Sequence, residues 1–345
     1  MAFRPCVAIT MGDAAGIGPE IIVKSLAGEE AARWAIPLVL GDAGVLERAM
    51  EVTGARLPIR RIATPAEAEG RPGVIELLDY HDIDLGAHRW GVVSPAHGAA
   101  AVRYTREATR LALAREVDAI VSAPLNKQAM HAAGYRYEGH TEILGELTGT
   151  RPAMVLVLGA MRLMLFTNHM ALRAACDFVR KDRLLERLVL ADTALRDLGL
   201  EQPRLAVAGL NPHAGEDGAF GHEERDEIVP AVEAARARGI DVVGPLPADT
   251  VFLKARDGAY DLTMALYHDQ GLLAVKLLGF GRVVTLLVGL PLIRTSPGHG
   301  TAFDIAGRNL ADERNLLEAI RLAAEVAVQR HGAPEPGLAA AYGRV

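Results

Sequence analysis

Three histidines stand just past apolar runs, where an imidazole can do acid–base or metal chemistry near neutral pH. His169 closes Leu165-Phe-Thr-Asn-His169, His213 follows a second run in Leu210-Asn-Pro-His-Ala-Gly-Glu216, and His268 a third in Ala265-Leu-Tyr-His-Asp-Gln-Gly271. In a parallel sheet the C-terminal ends of strands line the crevice where ligands bind. Three neutral imidazoles converging there would hold Zn2+ or a similar divalent ion, with one position left for substrate. The alternative is that each histidine caps its own loop, because the sequence separations are too long to establish convergence.

A second cluster lies in Gly289-Leu-Pro-Leu-Ile-Arg-Thr-Ser-Pro-Gly-His-Gly-Thr-Ala-Phe-Asp-Ile-Ala-Gly307. Arg294 follows an apolar strand and offers a planar fork for a carboxylate or phosphate. Gly298, His299 and Gly300 let the backbone approach a ligand closely. A glycine-rich turn with its arginine in a solvated rim is the plainer alternative. Lys276 interrupts the apolar run Leu272-Leu-Ala-Val-Lys276, so its ammonium needs an anionic partner or must snorkel to water. A third cluster, Met11-Gly-Asp-Ala-Ala-Gly-Ile-Gly-Pro-Glu20, sits between a strand and a helix. Gly16 and Gly18 precede a helix N-terminus that can accept an anion, but the G-x-G-x-x-G spacing is absent. A tight strand–helix turn is therefore the alternative, and Asp13 is either a functional acid or a cap for that helix.

These residues need a scaffold, and the 345-residue chain has room for two domains of roughly 150 residues each. Residues 6–10, 37–40, 119–122, 154–158 and 205–208 read as buried strands. Residues 19–26, 99–115, 183–198 and 225–238 read as helices, with Pro19 suited to a first turn and Gly239 to a C-terminal cap. This alternation predicts an α/β protein with parallel sheets covered on both faces. Residues 64–73 read as a surface connection and 332–337 as a loosely packed terminus.

Composition narrows the classes further. At 50% hydrophobic and 23% charged residues the chain is not disordered. With 37 basic and 43 acidic residues, a net charge of −6 and no Lys/Arg-rich run, nucleic acid is excluded as the main partner. Cys6 and Cys176 make neither a disulfide framework nor a zinc motif, and their apolar neighbours predict buried, inert thiols. The N-terminus is too short and polar for a signal peptide, and the apolar stretch 283–293 falls short of the roughly 18 residues of a membrane span. A soluble, cytoplasmic protein is expected, with no membrane partner.

In order along nearly the whole chain, these motifs resemble the 4-hydroxythreonine-4-phosphate dehydrogenase family of vitamin B6 biosynthesis. Further motifs that carry the resemblance are Asn126-Lys127, Gly139-His-Thr-Glu142, Pro247-Ala-Asp-Thr250 and Tyr267-His-Asp-Gln-Gly271. The run from Arg294 to Gly307 also looks like the adenine-side cofactor loop of isocitrate and isopropylmalate dehydrogenases, which bind NAD(P) without a Rossmann fingerprint. The resemblance implies a two-domain α/β/α fold of that group, with the active site in the interdomain cleft. Residues 1–135 with 290–345 would form the cofactor side, and 136–289 the metal, substrate and dimerisation side. It further implies a homodimer in which His169 and His213 of one subunit and His268 of the partner subunit hold one divalent ion, Zn2+ or else Mg2+, Co2+ or Mn2+. Substrate contacts would fall on His140, Thr141, Lys276, Thr285 and Arg294. Catalytic roles would fall on Asp249 and Lys276, Asp249 accepting or orienting the hydroxyl proton. NAD or NADP would lie along His299, Gly300, Thr301, Ala302, Asp304 and Asn309.

The activity so implied is the NAD(P)- and metal-dependent oxidation of 4-hydroxythreonine-4-phosphate or a related phosphorylated hydroxy acid, with loss of CO2 if the product is a β-keto acid. Three positions depart from the family pattern: Ala14 replaces Pro, Thr285 replaces Asn and Gly298 replaces Asp. A glycine at 298 looks more like the family's cis-dihydrodiol dehydrogenase relatives, which act on terephthalate-derived diols. A non-phosphorylated substrate of that type is the alternative. A non-catalytic binding protein on the same fold is opposed by the joint presence of the three histidines, Lys276 and Arg294.

Overall fold

Short apolar strands and longer amphipathic helices alternate through the computed structural model, which describes residues 3–279 and 281–331. The order begins β1 Cys6–Thr10, α1 Gly18–Ala27, α2 Glu30–Trp34, β2 Ile36–Gly41, α3 Ala43–Thr53, β3 Ile59–Arg61 and β4 Ile75–Asp79. It continues α4 Pro95–Leu113, β5 Ala119–Ser122, α5 Lys127–Ala132, α6 His140–Thr148, β6 Ala153–Leu158, β7 Met161–Leu165, α7 Leu172–Phe178 and α8 Lys181–Asp197. The remainder is β8 Leu205–Ala208, α9 Val229–Arg236, β9 Val242–Leu246, α10 Ala248–Arg256, β10 Leu262–Ala265, α11 His268–Gly279, β11 Val284–Val288, β12 Ile293–Pro297 and α12 Arg314–His331.

The described residues form two compact units, one reaching Pro152 and resuming at Val284, the other spanning 153–283. Divisions at 135/136 and 289/290, as expected from the resemblance, would put α6 with His140 and Thr141, and β11 with Thr285, in the second unit, whereas here they belong to the first. Strands of the first unit run β3-β4-β2-β1-β5-β12-β11, and those of the second β6-β7-β10-β8-β9. Within each unit all pairings are parallel except β11 with β12 and β6 with β7. The expectation of uniformly parallel sheets is corrected at those two pairs. Their links, residues 159–160 and 289–292, are too short for a crossover helix and permit only a hairpin.

Continuous apolar runs become strands because both faces are covered. Val7, Ala8 and Ile9 of β1 are wholly buried, and β1 pairs in register with both β2 and β5. In the second unit Leu163, Leu165, Ala206, Ala265, Val251 and Val275 meet in one core. Each buried Leu or Val there contributes about 1.5–3 kcal/mol relative to exposure, which fixes the strand ends from which the functional loops leave.

Smaller departures have local causes. The helix expected over 225–238 opens as a π-turn, Glu224–Ile228, before α9 begins. The connection 64–73 contains a 3-10 turn, Pro65–Glu67, and its Gly70 is buried, with an amide that donates to Glu76. Cys6 and Cys176 are free but only half-buried. Burial, then Asp118 and Glu76, pushes the Cys6 thiol up to about 12, so it stays protonated and unreactive. The expected loose terminus at 332–337 lies outside the described residues. Among the described residues no helix is long and apolar enough to cross a membrane.

Candidate active site

In the first unit, β1, β5 and β12 are parallel neighbours, so the segments that follow them leave the sheet at one edge. Arg294 lies in β12, only 3% exposed, and its Nε donates to Ser122 Oγ at 3.2 Å. Burial is the one influence that shifts its pKa, pulling it down to about 9, and no described carboxylate pairs with it. The guanidinium is therefore still charged at neutral pH. An uncompensated buried ion costs several kcal/mol, so this site calls for an anion. His140 opens α6, and its buried Nε2 has no hydrogen-bond partner among the described residues. Burial first, and then the charge of Arg294, holds His140 well below the ordinary imidazole pKa. A neutral imidazole thus stands beside a buried cation. Thr141 is half-buried next to it, and buried Thr285 pairs in register with Ser296 across β11 and β12. Gly139, at the N-cap of α6, supplies no side chain, so amides at that helix start remain open to an anionic ligand.

The segment after β12 contains the expected cofactor positions. His299 Nδ1 lies 3.0 Å from the carbonyl of Gly300, Thr301 is buried, and Asp304 is exposed. Ala302 and Asn309 adopt left-handed backbone conformations. The glycine-rich start of α1 packs on this segment. A Cβ on Gly16 would fall 3.0 Å from the Cβ of Thr301, and the Ile17 amide donates to the Thr301 carbonyl. A Cβ on Gly18 would lie 2.3 Å from the Met11 carbonyl oxygen. These glycines serve close packing in a fully buried turn, so the tight turn replaces the anion-accepting helix end.

Asp13 is not the cap of α1, since that position is Ile17 and no side chain caps it. Instead its Oδ1 accepts from the Ala15 amide at 2.9 Å, while Oδ2 is buried without a partner. Burial raises its pKa to about 6, against a lowering by the Ala15 bond. His97 Nδ1 lies 4.0 Å from Asp13 Oδ1 and also lacks a hydrogen-bond partner. Burial, then His88, lowers His97 to about 4. Sequence reasoning did not single out His97. A histidine in the small-residue run opening α4 was the available signal.

In the second unit β7, β10 and β8 are parallel neighbours, so the loops carrying His169, His268 and His213 leave the same end of the sheet. The rings of His169 and His268 come within 5.6 Å, centroid to centroid. Both line a cavity of about 220 Å³ together with Asn168, Leu172, Tyr267 and Asp269. His268 Nδ1 lies 2.7 Å from Asp269 Oδ1, which leaves Nε2 available. A carboxylate on the far nitrogen is the usual support of a metal-binding imidazole.

His213 stands apart, exposed, with its ring 6.3 Å from that of Phe220. It begins a left-handed run over residues 213–217 with φ between 43° and 87°. Buried Glu224 holds the base of that loop, accepting from the Leu210 and Asn211 amides, each at 2.7 Å. Among the described residues no group of three or more His, Cys, Asp or Glu lies close enough to hold a metal. One chain therefore brings His169 to His268, whereas the family resemblance grouped His169 with His213. Asp249, in the first turn of α10, and Lys276, on α11, are both exposed. Of the two alternatives for Lys276, the ammonium in water is the one observed.

A buried, unpaired arginine in a strand of one α/β unit and imidazoles on the strand-end loops of the other are groups that a dehydrogenase, an oxidoreductase, could use on an anionic substrate. Solved structures agree. The chain is 45% identical to 4-hydroxythreonine-4-phosphate dehydrogenase from Klebsiella pneumoniae, with a TM-score of 0.87, covering 94% of this chain and 99% of that one. Terephthalate 1,2-cis-dihydrodiol dehydrogenase from Burkholderia xenovorans LB400 is 32% identical, with a TM-score of 0.63 over 94% and 98%. D-threonate 4-phosphate dehydrogenase from Cupriavidus necator is 48% identical over 330 residues, 95% of this chain and 99% of the relative. The model of the pyridoxal phosphate biosynthetic protein PdxA family matches residues 33–323, and the chain belongs to that family.

Proposed function

We propose that the protein oxidises a phosphorylated hydroxy acid with NAD or NADP and a divalent metal, and that its substrate is D-threonate 4-phosphate. Buried Arg294, charged and without a carboxylate partner, is the observation that carries the anionic substrate. The 48% identity to a relative named for D-threonate 4-phosphate favours that compound over the 4-hydroxythreonine-4-phosphate expected from sequence. The two molecules share carboxylate, phosphate and the carbon-3 hydroxyl, and differ at carbon 2, where a hydroxyl replaces an ammonium. A bound nicotinamide would supply the two-electron oxidant for the alcohol at carbon 3, and a base on the protein would take the hydroxyl proton. The resulting 3-oxo acid loses its carboxylate as CO2, the electron pair passing to an enolate that is then protonated.

Arg294, His140, Thr141 and Thr285 receive an anionic group of the substrate. Asp249 takes or orients the hydroxyl proton and Lys276 neutralises substrate charge, and their exposure suits residues that act across a subunit boundary. His169, His213 and His268 would hold the metal, with the ligand set completed by a second subunit. When bound, the ion would acidify the substrate hydroxyl and stabilise charge on its oxygen. A homodimer is supported by uncovered apolar side chains on the second unit. Phe220 is 52% exposed, and on α11 Leu273 and Leu277, one turn apart, are 61% and 85% exposed. A second copy would bury the Leu273 and Leu277 side chains, on the helix that also carries His268 and Lys276.

Absorbance of reduced cofactor, followed with D-threonate 4-phosphate, 4-hydroxythreonine-4-phosphate and a cis-dihydrodiol carboxylate, tests the proposal. D-threonate 4-phosphate is expected to give the highest kcat/KM, and a chelator to abolish turnover. Preference for the dihydrodiol, or no reduction with either phosphorylated acid, would refute it.

A further inference from the structure

Glu20 is wholly buried in α1, yet nothing in the chemistry above uses it. Its Oε1 accepts from the Gly307 amide at 2.5 Å and its Oε2 from the Asn309 amide at 3.1 Å. Lys24 follows one turn later on the same helix face. Its Nζ donates to the Asn309 carbonyl at 3.3 Å and to the Ala311 carbonyl at 2.7 Å. Both backbone groups of Asn309 are thus taken by α1, the N–H by a carboxylate and the carbonyl by an ammonium.

The segment needs such support. Asn309 has φ +58° and Gly307 φ +76°, and a Cβ on Gly307 would lie 2.5 Å from the Trp90 ring. Glycine takes such a φ freely, whereas the left-handed Asn309 carries a backbone cost that surrounding contacts offset. The start of the same helix grips the other end of the loop, where the Ile17 amide donates to the Thr301 carbonyl.

We propose that Glu20 and Lys24 are positioning residues, a two-charge clamp that shapes the 299–309 loop to receive the nicotinamide cofactor. This rests on the cofactor role given to that loop, so the experiment separates the two. NADH is titrated onto the full-length protein as wild type, Glu20→Gln, Lys24→Met and, within the loop itself, Asp304→Ala. Glutamine keeps the size of Glu20 but offers one acceptor oxygen and turns an NH2 toward an N–H. Glu20→Gln is expected to weaken NADH binding and raise the cofactor KM by about 10-fold, the scale of one charge-assisted hydrogen bond. Lys24→Met, at a half-exposed position, should weaken binding by about 3-fold. In both, kcat and substrate KM should stay within about 2-fold of wild type, since no reacting group is touched. Without cofactor, Trp90 emission in a Trp34→Phe background should shift, because its ring packs on Gly307.

Normal NADH binding in both clamp variants, with weakened binding in Asp304→Ala, overturns the clamp and spares the cofactor loop. Normal binding in all three variants removes the loop's cofactor role and the clamp with it. A fall in kcat at unchanged cofactor KM also overturns the clamp. Should Glu20→Gln fail to fold, Lys24→Met decides by the same readouts.

Discussion

The first unit buries its chemistry and the second displays it. Both are built on parallel strands, but the first carries its charged groups on strand β12 and helices α1 and α4 as well as on loops. Yet Arg294, Asp13, His97 and Glu20 are enclosed by their own chain, while His169, His213 and Asp249 stand in solvent. Both use the same device to hold a loop, a buried glutamate that accepts two backbone amides, Glu20 in one and Glu224 in the other. The difference lies in what is finished. Desolvation and fixed hydrogen bonds prepare the first unit within a single chain, whereas the second holds two adjacent imidazoles and a third apart. Under the proposed function, the exposed imidazoles of the second unit would be completed as a ligand set by another subunit.

The largest effect is expected from subunit mixing. If His169 and His213 of one subunit join His268 of the partner subunit, mixing inactive His169→Ala with inactive His268→Ala restores one intact site per mixed dimer. If instead His169 and His268 of one chain act together with the partner's His213, that mixture stays inactive, and His169→Ala with His213→Ala recovers activity. Recovery in neither mixture after confirmed exchange means the metal set is not shared between subunits.

The next effect is expected at Arg294. Arg294→Met should lower kcat/KM for the phosphorylated substrate by at least about 100-fold, the scale for removing one side of a buried charge pair. Its thermal midpoint should rise, because an unpaired buried charge is gone. Lower activity with lower stability would mean that the arginine is structural and already compensated.

The smallest effect is a pH profile, and here the signs oppose. Asp13 titrates at about 6 in the fold against 3.8 ordinarily, so its stability contribution is complete below about 4 and is lost as pH rises through about 6. His97 titrates at about 4 against 6.5 ordinarily, so its contribution is present above 6.5 and is lost as pH falls toward 4. In the wild type the two slopes largely cancel between these limits. Asp13→Asn should lose about 3 kcal/mol of stability on acidification through this window, and His97→Asn should gain a similar amount, measured by denaturant unfolding. Slopes parallel to wild type in both variants would show that neither group is desolvated as described.

Much of this protein was legible in local sequence. Cys6–Thr10 and Leu205–Ala208 are strands because a short continuous apolar run can be satisfied only between covered faces. Past such runs His169, His213 and His268 could be marked as candidates, and so could Arg294, because burying a charge or an imidazole there costs free energy unless a partner offsets it. The antiparallel turns of β6–β7 and β11–β12, the packing role of Gly16 and Gly18, and the pairing of His169 with His268 rather than His213 were not legible. Nor was the task of Glu20, whose partner Gly307 lies 287 residues away. Periodicity and burial tendency are local properties that a few neighbouring residues express. Which amide a carboxylate meets, and which imidazoles share a cavity, depends on strand order, and only the folded chain sets that.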